Sequence, residues 1–174
     1  MMKEKGVWDL VEACRILKEQ GKKFHCHFVG KWSDITEEDF QQKLQEYHLE
    51  NEITAHGAKY GTEKNVFFQQ ADVFVFPTHN EAFGLVLLEA MEYTIPCIAS
   101  NEGGVPSVID EDKTGYVIDK QQPLALAEKI AYIIDHPALC QSMGEAGRKK
   151  FKEEFTMERF ENRMKEILQE IMVQ

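Results

Sequence analysis

The chain has 174 residues, 43% of them hydrophobic, enough for one domain with a real core and too many for a disordered segment. Its formal net charge of −10, with no basic stripe to offset it, argues against nucleic acid and against an anionic membrane surface as partners. No apolar run is long enough to span a bilayer, and the Met1–Gly6 start lacks the apolar core of a signal peptide.

After Lys5-Gly6, apolar residues at Val7, Leu10, Val11, Cys14 and Leu17 repeat at helical spacing, and Gly21 ends that helix. Phe24 to Val29 reads as a strand closed by Gly30. Ser33 to Tyr47 reads as a polar helix capped by Ser33 or Asp34. Ile53 to Ala55 is a short strand before Gly57, and Thr62 to Gln70 another helix. Asp72 to Phe76 is an apolar run, as expected of a strand covered on both faces. A helix then starts near Ala82 or Phe83 and runs to Glu92, followed by a strand over Ile95 to Ala99. A short helical turn near Val105 to Ile109 and a strand over Gly115 to Ile118 come next. Helices over Leu124 to Asp135, Pro137 to Phe151 and Met157 to Met172 finish the chain. The last carries an apolar stripe of Phe160, Met164, Ile167, Leu168 and Ile171.

Strands alternating with helices imply an α/β fold: a doubly wound parallel sheet with helices on both faces. Ligands of such sheets bind at the carboxyl ends of the strands. No repeat or low-complexity linker interrupts the pattern, so residues 1–174 read as one domain, with 155–174 its C-terminal helix. Cys14, Cys26, Cys97 and Cys140 show no Cys-x-x-Cys spacing and read as buried, reduced thiols of a cytoplasmic protein.

The block from Phe76 to Met91 carries the chemistry. The strand ends at Pro77, a polar loop follows, and a helix opens beside Gly84. A helix start with an adjacent glycine offers free N–H groups and the positive end of a dipole, a seat for phosphate. Glu81 stands at the helix mouth and Glu89 two turns inside, which suits hydroxyl-rich groups on either side of that phosphate. Eight residues of helix span about 12 Å, the separation of a sugar from a ribose across a diphosphate.

The same block resembles the Glu-x7-Glu signature of the retaining GT-B glycosyltransferases, most closely family 4, the glycosyl transferases of group 1. Phe83-Gly84-Leu85-Val86, Leu88-Glu89-Ala90-Met91, Pro96, Gly103-Gly104 and Thr114-Gly115-Tyr116-Val117 fall in register with its pattern, in the right strand–loop–helix context. The resemblance runs from Lys5-Gly6 to the final helix and implies the Rossmann-like, C-terminal, donor-binding half of a GT-B enzyme. Three positions depart from it. Thr94 replaces a usual glycine at a helix C-cap, Ser107 a glutamate bordering the site, and Met157 a common tryptophan.

The resemblance implies sugar transfer from a UDP- or GDP-linked donor to a saccharide or lipid-linked acceptor, with retention and without metal or cofactor. Its full-length form would be cytoplasmic or peripheral at the inner membrane face. Glu81 takes the role of holding the transferred sugar, and Lys5 that of neutralising the leaving diphosphate. Phe83, Gly84, Leu85 and Val86 take that of backbone donors, Glu89 that of ribose acceptor, and Gly103-Gly104 that of a loop beside the diphosphate. Gly57-Ala58-Lys59-Tyr60 would lie near the base. The family's opening strand, with an arginine at its end, and its acceptor domain are expected to precede Lys5-Gly6 and are absent from the sequence.

Each residue also has a plainer role. Lys5 can be a solvated residue at a helix start, and Glu81 a helix cap. Glu89 can be an ordinary helical glutamate, although its apolar neighbours make an unpaired carboxylate costly there. His25 and His27 alternate on a strand without further metal ligands nearby, and His79 is a loop histidine beside the site. Other functions weighed are a non-catalytic nucleotide-sugar-binding module and a GT-B-like nucleotide-sugar epimerase. A signalling or flavin domain would need an acidic cluster or flavin loop that the sequence lacks.

Overall fold

The computed structural model describes residues 1–172. A 3₁₀ turn, Lys3–Lys5, leads through Gly6 into helix α1, Val7–Glu19, whose Val7, Leu10, Val11, Cys14 and Leu17 are buried. Strand β1, Cys26–Phe28, follows, then helix α2, Glu37–Glu46, and strand β2, Ile53–Ala55. Helix α3, Gly61–Gln70, strand β3, Phe74–Phe76, and helix α4, Leu85–Glu92, lead into strand β4, Cys97–Ser100. A single helical turn, α5, Val105–Val108, precedes strand β5, Gly115–Ile118. Helices α6, Pro123–Asp135, α7, Pro137–Glu154, and α8, Met157–Met172, complete the described chain.

All strand pairs are parallel, as the helix between each demands. Two apolar clusters flank β4, all four residues of which are buried. Ile98 joins the cluster built from α1, α2 and α6, around Leu17, Phe40 and Leu126. Cys97 and Ala99 join the cluster of α4 and α5, around Leu87, Met91 and Val105. Alternate β4 side chains thus point into opposite cores, which puts helices on both faces of the sheet. Each fully buried leucine such as Leu17 or Leu87 contributes about 2 kcal/mol of apolar transfer.

Several boundaries differ from the sequence reading. Helix α2 starts at Glu37, not after Ser33 or Asp34, because Thr36 and Asp39 form a reciprocal capping box. Asp34 is diverted to the Lys3 backbone N–H, 3.1 Å away. Strands β1, β3 and β4 are shorter than the expected runs, while β2 and β5 keep their expected bounds, and the sheet is split: β1–β2 form one ladder and β3–β4–β5 another. Correspondingly, Phe74, Val75 and Phe76 are only half-buried, although a strand covered on both faces was expected over Asp72 to Phe76. Thr94 adopts a left-handed conformation, φ 66°, in the turn after α4, where the family pattern has glycine.

The α8 stripe of Phe160, Met164, Ile167, Leu168 and Ile171 is present, but every one of these residues is exposed. Residues 173–174 of the expected 155–174 segment lie outside the described residues. All four cysteines are free thiols; Cys14 and Cys97 are buried, while Cys26 and Cys140 are only half-buried. No helix among the described residues is long and apolar enough to cross a membrane.

Candidate functional site

The carboxyl end of β3 is strapped to the first residues of the chain. Thr78 is fully buried and directs its hydroxyl at the Glu4 and Asn80 carbonyls, at 3.2 and 3.0 Å. The His79 N–H donates to the Glu4 carbonyl at 2.7 Å, and its ring Nε2 meets Asp9 Oδ2 of α1 at 2.5 Å. Gly6, at φ 67°, permits this approach: a Cβ there would lie 1.8 Å from the Pro77 carbonyl oxygen.

That strap delivers Lys5 to Glu81. Lys5 Nζ lies 3.0 Å from Glu81 Oε2, donates to the Asn80 carbonyl at 3.2 Å, and sits 5.6 Å from the Phe76 ring centre. The other carboxylate oxygen, Oε1, accepts from the N–H groups of Ala82, Phe83 and Gly84 at 3.0, 3.3 and 3.2 Å. The Glu81 side chain is only 17% exposed. Burial pushes its carboxyl pKa up, but the Lys5 hydrogen bond and the Phe83 and Gly84 N–H groups outweigh burial and hold it below the usual carboxylate value.

This crown moves the expected helix start and engages two of the expected backbone donors. The helix begins at Leu85, not at Ala82 or Phe83, because Glu81 folds the preceding three residues into a tight loop and Gly84 turns the chain at φ 86°. Phe83 and Gly84 therefore spend their N–H groups on Glu81 in this state. Among the described residues, the N–H groups of Leu85 and Val86 have no partner, as the first turn of a helix dictates. Of the four expected backbone donors, those two are the ones left unengaged.

Gly103 and Gly104 lie directly against the Glu81 loop. The Gly104 N–H donates to the Ala82 carbonyl at 2.9 Å. Gly103 has φ 53°, and a Cβ on it would stand 2.0 Å from the Glu81 carbonyl oxygen. The pair thus buttresses the loop from behind. Ser107 is exposed, and its carbonyl accepts from Lys150 Nζ at 3.1 Å.

Glu89 is in the second turn of α4 and is half-exposed rather than sealed among apolar neighbours. Its partner is Lys64 of α3, whose Nζ is 2.8 Å from both carboxylate oxygens. Helix α3 is entered from Gly57-Ala58-Lys59-Tyr60, so that loop leads toward the Glu89 end of the site, with Tyr60 largely exposed.

Reasoning from sequence did not find Lys64, the Asp9–His79 contact, or Ser100, a fully buried serine at the end of β4 whose hydroxyl has no partner among the described residues. Lys64 and Glu89 lie on different helices 25 positions apart, so no local spacing announces them. His27 pairs with His56, Nδ1 to Nε2 at 2.9 Å, and His25 with Thr54. No group of three or more His, Cys, Asp or Glu side chains among the described residues is arranged to hold a metal ion. A cavity of about 620 Å³ between α1 and α2, lined by Lys3, Trp8, Asp34 and Tyr47 among others, includes neither Glu81 nor Glu89.

Comparison with known proteins identifies the family and the fold. The family described as "Glycosyl transferases group 1" matches residues 1–150. The chain is 28% identical over 156 residues to the capsular polysaccharide biosynthesis glycosyltransferase CapM of Staphylococcus aureus, covering 90% of this chain and 40% of CapM. It superimposes on a glycosyltransferase from Rickettsia africae with a TM-score of 0.87 at 27% identity, covering 99% of this chain and 46% of that one. It shares its fold with Anabaena HepE, solved in complex with UDP-glucose, at a TM-score of 0.85 and 19% identity, covering 98% of this chain and 46% of HepE. The chain therefore spans less than half the length of these proteins. It belongs to the group 1 glycosyl transferases, and its parallel α/β architecture is that of GT-B glycosyltransferases.

Proposed function

We propose that this group 1 glycosyl transferase chain is the C-terminal, donor-binding domain of a retaining, metal-independent family 4 enzyme. It takes a UDP- or GDP-linked sugar and passes the sugar to a saccharide or lipid-linked acceptor held by an N-terminal domain. The observation that carries this reading is the convergence of Lys5, Glu81 and the opening N–H groups of α4 at one strand end, with Glu89 further along the same helix.

The diphosphate rests against the Leu85 and Val86 N–H groups, where the helix dipole favours negative charge. Lys5 adds a second positive charge beside it. Glu81 has Oε1 saturated by three N–H groups, so its remaining acceptor capacity is on Oε2, where Lys5 Nζ engages one lone pair and the other is left for a hydroxyl of the transferred sugar. Glu89 accepts the ribose hydroxyls, and the loop 57–60 meets the base. As the bond from the anomeric carbon to the diphosphate oxygen breaks, negative charge grows on the leaving group, where Lys5 and the helix start stabilise it. The acceptor oxygen then bonds to the same face of that carbon, and its proton passes to the departing phosphate.

The share of the relatives that the chain covers supports a second domain in the working enzyme. CapM's name favours a bacterial surface polysaccharide as the product class.

The test is transfer by the two-domain enzyme in the presence of a chelator, with the product followed by NMR. An anomeric configuration matching the donor's is the expected result. An inverted product, or activity that needs added metal, would overturn the reading.

A further inference from the structure

We propose that Lys64 occupies the ribose seat on Glu89 in the free protein and must be displaced by the vicinal diol of an incoming nucleotide. This inference rests on the donor-site reading above and assigns the lysine the role of a competitor that blunts the preference of Glu89 for ribose over 2′-deoxyribose.

Lys64 Nζ is 2.8 Å from Glu89 Oε1 and 2.8 Å from Oε2. Equal distances place the ammonium in the mouth of the carboxylate fork. A vicinal cis-diol uses the same mouth, with one hydroxyl on each oxygen. The ammonium and the diol cannot both use the facing lone pairs of that mouth, so the pair and a bidentate diol compete for it. Both side chains are open enough to rearrange, at 33% and 43% exposure. Lys64 leaves an exposed helix face, and no core opens when it swings away. The Phe68 ring, 5.9 Å from Nζ, offers the ammonium a face near its present position.

The consequence is an offset in affinity. In wild type, gain from the two ribose hydroxyls is reduced by loss of the Lys64–Glu89 pair. A ligand lacking one hydroxyl gains less and displaces the lysine less completely. Removing the lysine frees the full acceptor capacity of Glu89, so discrimination between ribose and 2′-deoxyribose sharpens. An exposed ion pair of this kind corresponds to about two- to fivefold in the affinity ratio.

The experiment is calorimetric titration of the chain with UDP, GDP and ADP and their 2′-deoxy counterparts. The proteins are wild type, Lys64→Met, Glu89→Gln and the double variant. Taking the ribo-to-deoxy ratio cancels the lysine's general attraction for the diphosphate. The expected result is a ratio about two- to fivefold higher in Lys64→Met than in wild type, with no effect of Lys64→Met in the Glu89→Gln background. An unchanged or lower ratio in Lys64→Met, with wild type still binding, would overturn the competition and leave the donor site standing. Failure of wild type and Lys64→Met alike to bind any of these nucleotides would overturn the donor site and, with it, this role for Lys64.

Discussion

Lys5 and Glu81 are 76 positions apart in the chain and 3.0 Å apart in the fold, joined Nζ to Oε2. The contact exists because the 3₁₀ turn Lys3–Lys5 is stitched to the β3–α4 loop through the Glu4 carbonyl, Gly6 and the Asp9–His79 pair. It places a cation and a carboxylate side by side at a helix start that already favours negative charge.

Lys5→Met removes the cation while leaving the aliphatic stem over Phe76 in place. In the two-domain enzyme, turnover should fall on the order of 10²-fold, the usual effect of losing one preorganised charge that stabilises a transition state. Steady-state kinetics with donor and acceptor check this. Wild-type turnover would return Lys5 to the role of a solvated residue.

The Glu81 carboxyl titrates below its ordinary value of 4.5, so its contribution to stability has a definite sign. A depressed folded-state pKa stabilises the fold fully above the unfolded-state value, and the contribution disappears as pH falls through the folded-state value. Thermal melts of wild type and Glu81→Gln should therefore differ most near neutral pH and converge in acid. A gap that stays constant across that range would show that the carboxylate charge contributes nothing.

Thr94 has φ 66°, in a region that a β-branched residue occupies only under strain. Its carbonyl is also where α7 passes closest, with a Cβ on Gly144 falling 2.0 Å from it. Thr94→Gly should stabilise the chain by about 1 kcal/mol and raise the Tm by about 2–4 °C. Gly144→Ala should lower it, by about 1–3 kcal/mol of overpacking. Calorimetric melts of both variants decide the matter.

Gly103→Ala places a methyl 2.0 Å from the Glu81 carbonyl oxygen at a left-handed φ. The loop that carries Glu81 must move, so stability should fall by about 1–3 kcal/mol and nucleotide affinity should fall with it. A substitution that melts like wild type and binds like wild type would show that the loop does not depend on this buttress.

The legible part of the fold was its periodic part. The apolar spacing from Val7 to Leu17 and the runs at Asp72–Phe76 and Ile95–Ala99 depend on neighbours within a few positions, and they marked a helix and two strands, with strand starts two residues too early. The Thr94 departure likewise pointed to a backbone position that favours glycine. Features built by distant partners were not legible. The start of α4 moved to Leu85 because the Glu81 side chain captures three N–H groups, a choice that Lys5 helps to fix. Glu89 is half-exposed and paired with Lys64, a residue on another helix. The split between the β1–β2 and β3–β4–β5 ladders depends on which strands sit side by side, and hydrophobic runs carry no such address.

The most direct measurement is titration of this chain with UDP, GDP and ADP and their sugars, by NMR or calorimetry with a chelator present. Selective binding of one nucleotide, with shifts centred on Leu85, Val86 and Glu89 and affinity lost in Glu89→Ala, is the result the proposed donor site predicts. Binding of none at millimolar concentration, or binding indifferent to Glu89→Ala, would contradict it.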